Sequence, residues 1–259
     1  MFRHVFRRRP QKTDLPLPQR FEGGPPAPET ALAIVGDLHG ELVCLDKMID
    51  RLCARAPRAR WVFVGDFIDR GDHSAGVLDR LRALEADRPD TVFLLGNHEE
   101  MMLAFLREPE QAGNRWMRHG GLQTMASFGA FQLGVQNAPE ALRRARDRLL
   151  EVMPEGLHDW LAARPRWFGS GNVAVVHAGA DPATPIVAQT EQALTWGHKA
   201  FGQHARDDGL WVVHGHTIVD LPQEKNGVIS IDTGAYATGR LTAAIIENGQ
   251  LEFIQARTR

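Results

Sequence analysis

Carboxylate, amide-oxygen and imidazole groups recur in this chain at one kind of place, immediately after a short apolar run. Gly36-Asp37-Leu38-His39-Gly40 follows 31–35, Gly65-Asp66-Phe67-Ile68-Asp69-Arg70-Gly71 follows 61–64, and Gly96-Asn97-His98-Glu99 follows 91–95. Further on, His177-Ala178-Gly179 follows 173–176 and His214-Gly215-His216-Thr217 follows 210–213. Asp37 and His39 share one turn and can reach one cation. Asp66 and Asn97 stand at the same point of the next two runs, and His177 and His216 add nitrogen donors. A carboxylate between two ions can give one oxygen to each, and a mixed N/O set without thiolate favours Mn, Fe or Zn over Ca. Two ions about 3.5–4 Å apart can share a water, lower its pKa and clamp the attacking and leaving oxygens of an in-line displacement. Taken singly, each Asp reads as well as a helix N-cap and each His as a polar core residue. Six of them in this order at successive strand ends point to a metalloenzyme.

The elements that must position these residues alternate. Apolar runs near 31–36, 60–65 and 91–95 are separated by helical stretches at 40–55 and 74–87, a βαβαβ pattern that implies a parallel sheet. A long, mainly helical section over about 97–163 follows, interrupted by Gly113, Gly120-Gly121 and Gly129; it reads as a cap over the strand ends or as scaffold. Its Arg-rich stretch, 139–151, is expected to present a solvated face. The second half is mostly strand: 166–168 with 172–176 around a Gly-Ser-Gly-Asn turn, then 210–214, 228–231, 241–247 and 251–255, the last two joined by Asn248-Gly249, a strong hairpin signal.

The chain has 259 residues, 43% apolar and 24% charged, with a formal net charge of −2. That is enough for a substantial core, and no overall field points to nucleic acid. No stretch approaches the roughly 20 apolar residues of a membrane span. Cys44 and Cys53 lie on one expected helix, on similar faces but too far apart along its axis for a disulfide; free thiols suit a reducing cytoplasm. Residues 1–29 are Pro-rich and basic and read as a mobile arm, either a solvated tail or a segment for an acidic partner or anionic lipid. The catalytic domain is expected over 30–259.

The five strings, with Asn97 through Met102, Gly120-Gly121 and Ile231-Asp232-Thr233-Gly234-Ala235, resemble the calcineurin-like metallophosphoesterases over about residues 31–247. Asp69-Arg70-Gly71 is similar to the phosphoprotein phosphatase branch, in particular its short bacterial and phage, lambda-type serine/threonine phosphatases. Ile218 stands where sister families have a second His, which argues against the phosphodiesterase and nuclease branches. The resemblance implies an α/β fold, a sandwich of two mixed sheets flanked by helices with a helical cap. It also implies two divalent ions, Mn²⁺ foremost, and a metal-bridging hydroxide as nucleophile. Asp37, His39 and Asp66 would hold one ion, and Asp66, Asn97, His177 and His216 the other. His98 would be the general acid, Asp69 its partner, and Arg70 a bidentate phosphate ligand. The expected substrate is a phosphoserine, phosphothreonine or phosphotyrosine protein.

Two positions depart from that pattern. Leu95 replaces an Arg before the Gly-Asn-His-Glu string, as in symmetrical diadenosine tetraphosphate hydrolases, which gives the alternative substrate. In Trp196-Gly197-His198, His198 replaces a second Arg and is expected to contact phosphate when protonated. Tyr236 either lines the pocket or packs as an ordinary Tyr. His73, His119, His158, His204 and His214 read as surface or supporting residues. A catalytically inactive phospho-binding module is the rival from another class.

Overall fold

Strand β1 (Leu32–Val35) turns Leu32 and Ile34 to one face and Ala33 and Val35 to the other, and all four are fully buried. Alternate side chains point to opposite faces, so a strand buried on both has no polar positions and reads as an unbroken apolar run. In a computed structural model of the chain, residues 20–130 and 138–258 are described. β1 pairs in parallel with β2 (Arg60–Phe63), and β2 with β3 (Val92–Phe93). On its other side β1 pairs antiparallel with β9 (Arg240–Glu247), and β9 with β10 (Gln250–Arg257). Asn248 and Gly249 close that hairpin with φ of 52° and 74°, as the dipeptide predicts.

The second sheet runs β4 (Trp167–Ser170), β5 (Val173–Val176), β6 (Trp211–His214), β8 (Val228–Ser230) and β7 (Gln223–Lys225), with β5, β6 and β8 parallel. Leu32, Ile34, Val62 and Val64 of the first sheet meet Val173, Val175, Val213 and Ile229 of the second in one core. The outer face of the first sheet (Ala33, Val35, Phe63, Phe93) packs on helices α1 (Leu42–Arg55) and α2 (Ser74–Asp87). β7 escapes the sequence reading because all three of its residues are polar and exposed, although Asn226-Gly227 supplies the turn.

The section 97–163 forms α3 (Asn97–Arg107), α4 (Pro109–Trp116), a kinked segment at Met117–Gly121, α5 (Leu122–Ser127), α6 (Pro139–Val152) and α7 (Leu157–Ala162). Met102, Phe105, Trp116, Leu142 and Leu149 share the core of α1 and α2. The arginines of α6 pair with acids, Arg148 with Glu151 and Arg143 with Glu110 of α4. Cys44 is buried and Cys53 exposed: nine residues are about two and a half helical turns, so the two occupy opposite faces rather than similar ones. Among the described residues no helix is long and apolar enough to cross a membrane.

The arm needs correcting at its inner end. Residues 1–19 lie outside the described residues, but 21–29 are docked on the second sheet. The Phe21 ring packs edge-on against Trp211 with centroids 4.7 Å apart, and its amide donates to Asn226 Oδ1 at 2.8 Å. Trp211 Nε1 donates to the Gly24 carbonyl, and the Ala27 and Glu29 amides donate to Asn172 and Ser170. Average composition hides this, because a single Phe and a few backbone bonds to sheet residues do the anchoring. A deletion of 2–19, which keeps the docked 21–29, is the reference. Deleting 2–29 should lower the melting temperature below that reference by roughly 5 °C or more, since about 1 kcal/mol is worth some 2–4 °C in a chain this long. Equal melting temperatures for the two deletions, read by calorimetry, would show that the docking contributes nothing.

Candidate metal centre

Six parallel strands, three from each sheet, point their C-terminal ends at one place. Asp37 follows β1, Asp66 follows β2, Asn97 follows β3, His177 follows β5, His216 follows β6 and Asp232 follows β8. Parallel strands run buried to their ends and release the chain there, which is where open α/β sheets collect ligands. Seven non-glycine residues among those described have positive φ, and five of them, His39, Asp66, Asp69, Arg70 and His216, belong to this cluster. Such conformations cost free energy and persist where surrounding structure enforces them.

Asp66 is the shared member. Its Oδ2 lies 3.5 Å from His39 Nε2 and 3.8 Å from His98 Nε2, while its Oδ1 lies 3.4 Å from His177 Nε2. The donor atoms of His39, Asp66 and His98 fall within 4.8 Å of one another, and so do those of Asp66, His177 and His216. Asn97 Oδ1 sits 2.9 Å from both His177 Nε2 and His216 Nδ1. The His39 and His177 Nδ1 atoms face the Ile68 and Val64 carbonyls at 2.8 and 3.0 Å; donating there orients each ring so that its Nε2 faces Asp66. Asp37 directs both oxygens to the His216 amide at 3.0–3.1 Å. A Cβ at Gly96 would overlap Asp66 Oδ1, and one at Gly215 would overlap Asp37 Oδ1, so glycine is required at both close approaches.

The charges fit a cation. Burial, with Asp232 and Asp66 nearby, raises the Asp37 pKa well above the usual carboxylate range, and burial pushes Asp232 up to about 6. Burial would also raise Asp66, but the His177 and His98 imidazoles hold it well below normal. Burial lowers His39 to about 3 and His216 to about 4, keeping both imidazoles neutral with one ring nitrogen free to ligate. Against its burial, His177 is driven to about 10 by Asp66, Asp37 and Glu99. Crowded carboxylates that force an imidazole to carry the compensating proton lack positive charge, and divalent ions among these N and O donors would supply it.

Beside this cluster, His98 Nδ1 donates to Asp69 Oδ2 at 2.7 Å, and His98 Nε2 faces Arg70 Nη2 at 3.2 Å. Burial would lower the His98 pKa, but Asp66 and Asp69 raise it above its ordinary value. Asp69 is fully buried and also accepts from Trp116 Nε1 at 3.0 Å and Thr124 Oγ1 at 2.6 Å. Arg70 lies over the Tyr236 ring at 4.9 Å, and Tyr236 packs edge-on against His39 at 5.3 Å, so Tyr236 is at the site. His198 places its Nδ1 3.8 Å from Asp181, where it takes the Ala200 amide, and among the described residues no hydrogen bond or ring contact joins it to the cluster. Gly197 between Trp196 and His198 has a φ of 89°. His214 bonds Ser230 and packs on Phe201, in the supporting position expected.

Sequence reasoning passes over Glu99. Its carboxylate is fully buried and accepts from the Asp66, Phe67, Ile68 and Gly96 amides at 2.8–3.2 Å, tying the turn after β2 to the start of α3. The only signal is an acid three residues past Gly96, which reads as an ordinary capping residue. Glu99→Ala should cost at least about 4 kcal/mol, because four buried amides are orphaned at about 1–3 each. Urea unfolding measures this, and a loss under about 1 kcal/mol would mean the four amides find other acceptors. Asp232, Trp116 and Thr124 carry no role in the sequence reading, and His119, read as a surface or supporting residue, has its ring 6.4 Å from that of His98.

Residues 30–220 match the family model for calcineurin-like phosphoesterases, and the chain belongs to that family. It is 28% identical over 235 residues to the asymmetrical bis(5'-nucleosyl)-tetraphosphatase PrpE of Bacillus mycoides, covering 81% of this chain and 87% of that protein. The Geobacillus thermodenitrificans protein of the same name is 29% identical over 233 residues, with 81% and 88% covered. Among solved structures, one assigned as a diadenosine tetraphosphatase aligns with a TM-score of 0.60 at 22% identity, over 90% of this chain and 97% of that one. The cold-active protein tyrosine phosphatase of a Shewanella psychrophile aligns at 0.58 and 16% identity, over 98% and 89%. At these identities the structures establish a shared fold. Calcineurin-like phosphoesterases use a dimetal centre, and the His and Asp groups here fit metal binding.

Proposed function

We propose that this chain is a two-ion phosphohydrolase whose preferred substrates are dinucleoside polyphosphates. The observation that carries the hydrolytic reading is the division of the two Asp66 oxygens between two sets of histidines. Asp37, His39 and Asp66 would hold one ion, and Asp66, Asn97, His177 and His216 the other. Bound there, the ions would supply Lewis-acid charge and a water acidified toward neutral pH. Arg70 binds oxygens of the reacting phosphate through its planar fork. His98, held by Asp69 through Nδ1, keeps Nε2 beside Arg70, within reach of the leaving oxygen, and gives it a proton as the P–O bond breaks. The Asp69 carboxylate, kept dry by Trp116 and Thr124, fixes the ring and favours its protonated form.

The substrate class rests on relatives named tetraphosphatases that align with 81% of the chain, and on Leu95, which offers no phosphate donor. A second reading, a protein phosphatase, is favoured by Asp69-Arg70-Gly71. One preparation with Mn²⁺, assayed on diadenosine tetraphosphate and on phosphoserine, phosphothreonine and phosphotyrosine peptides, tests the choice. The dinucleotide should have the higher kcat/KM by about tenfold or more; a preference for the peptides would reverse the assignment. No turnover of either substrate or of p-nitrophenyl phosphate would leave only a binding module.

A further inference from the structure

The segment Trp196-Gly197-His198 turns His198 toward Asp181, while Trp196 packs on the core shared with α1 and α2. Its Nε1 donates to Glu100 Oε2 at 3.3 Å, one residue past the buried Glu99. The guanidinium of Arg115, in the last turn of α4, lies on the Trp196 ring, with Cζ 4.2 Å from the centroid. One turn further on, His119 Nδ1 donates to the Arg115 carbonyl at 2.7 Å, and the His119 ring is 6.4 Å from that of His98. Through that carbonyl the run 115–119 links Arg115 to His119, whose ring neighbours that of the proposed acid.

Arg115 is exposed and, among the described residues, has no carboxylate within ion-pair distance. Glu100, the acid beside Trp196, is occupied by Arg166 at 2.9 Å. Arg143, Arg148, Arg164 and Arg206 are each paired with an acid. Arg70, whose Nη2 lies 3.2 Å from His98 Nε2, is likewise a guanidinium over an aromatic ring with, among the described residues, no carboxylate within ion-pair distance. A guanidinium fixed by a ring face, with its N–H donors uncommitted, is prepared for an oxyanion at little further cost in side-chain entropy.

We propose that Arg115, seated on Trp196, determines specificity by binding a phosphate beyond the one being cleaved, so that the site selects chains of phosphates over single phosphates. This rests on the polyphosphate reading above, with Arg70 serving the reacting phosphate. It supplies from α4 a second cation that Leu95 does not.

Titration calorimetry on the Mn²⁺-loaded protein, with inorganic phosphate and inorganic tripolyphosphate each presented as its Mn²⁺ complex, tests this without requiring turnover. The ratio of the two dissociation constants, phosphate over tripolyphosphate, should fall about tenfold or more in Arg115→Gln, the scale of one lost charge-assisted contact. Arg115→Lys should recover part of the ratio, since an ammonium lacks the planar fork. Trp196→Leu, which removes the seat, should resemble Arg115→Gln, and Trp196→Phe should stay near the wild type. An unchanged ratio in Arg115→Gln, or equal weakening of both anions, would overturn the proposal. Preference of the wild type for phosphopeptides would instead overturn the substrate reading, and the two results are read from separate measurements.

Discussion

Asp66→Asn should release both ions and lower kcat by at least about 10³. Asp66 alone presents one oxygen to the His39 side and the other to the His177 side. Asn keeps the shape, but it offers one neutral oxygen and a nitrogen that cannot ligate. Both ions therefore lose a charged donor, and several kcal/mol of charge stabilisation go with them. The amide that Asp66 Oδ1 accepts from His98 also loses its charged partner. Metal analysis of the purified variant, beside its kcat, reads both consequences. Two retained ions with a near-normal rate would mean that Asp66 does not join the halves of the centre.

His98→Asn separates chemistry from metal binding. His98 points Nδ1 at Asp69 and Nε2 at Arg70, and its proposed work is proton transfer. The variant should keep its metals and lose roughly 10²–10⁴ in kcat, the usual scale for a positioned acid. The loss should be smallest for p-nitrophenyl phosphate, whose leaving group needs least protonation, and largest for an alkyl phosphate. The same factor for both substrates would remove His98 from the proton-transfer role. A fall in bound metal would make it a ligand instead, which its place within 4.8 Å of His39 and Asp66 makes worth measuring.

Much of this centre is legible in the chain because its elements are unusually explicit. β1, β2, β5 and β6 are buried on both faces, so they read as apolar runs, and each run ends where a Gly-Asp, Gly-Asn or His begins. The sequence locates the turns, and the parallel pairing of both sheets brings the turns together. What the chain does not disclose depends on contacts between distant segments. Trp116 and Thr124 reach Asp69 from 47 and 55 residues away, and neither residue type announces that partner. Glu99 looks like a surface acid in a first helical turn until its four amide donors are seen. His198 sits by Asp181 and the Ala200 amide, partners that no neighbouring residue type announces. The Phe21 anchor and the polar strand β7 fail for one reason: a pattern averaged over a window does not register a single ring or a strand without an apolar face.

The central claim is that turnover requires two ions held around Asp66. Chelator-stripped wild-type protein, titrated with Mn²⁺ while bound metal and hydrolysis of p-nitrophenyl phosphate are followed together, tests it most directly. Two equivalents should bind per chain, with activity near zero in the stripped protein and rising to its plateau only as the second site fills. Full activity without bound metal, or a plateau at one equivalent, would contradict it.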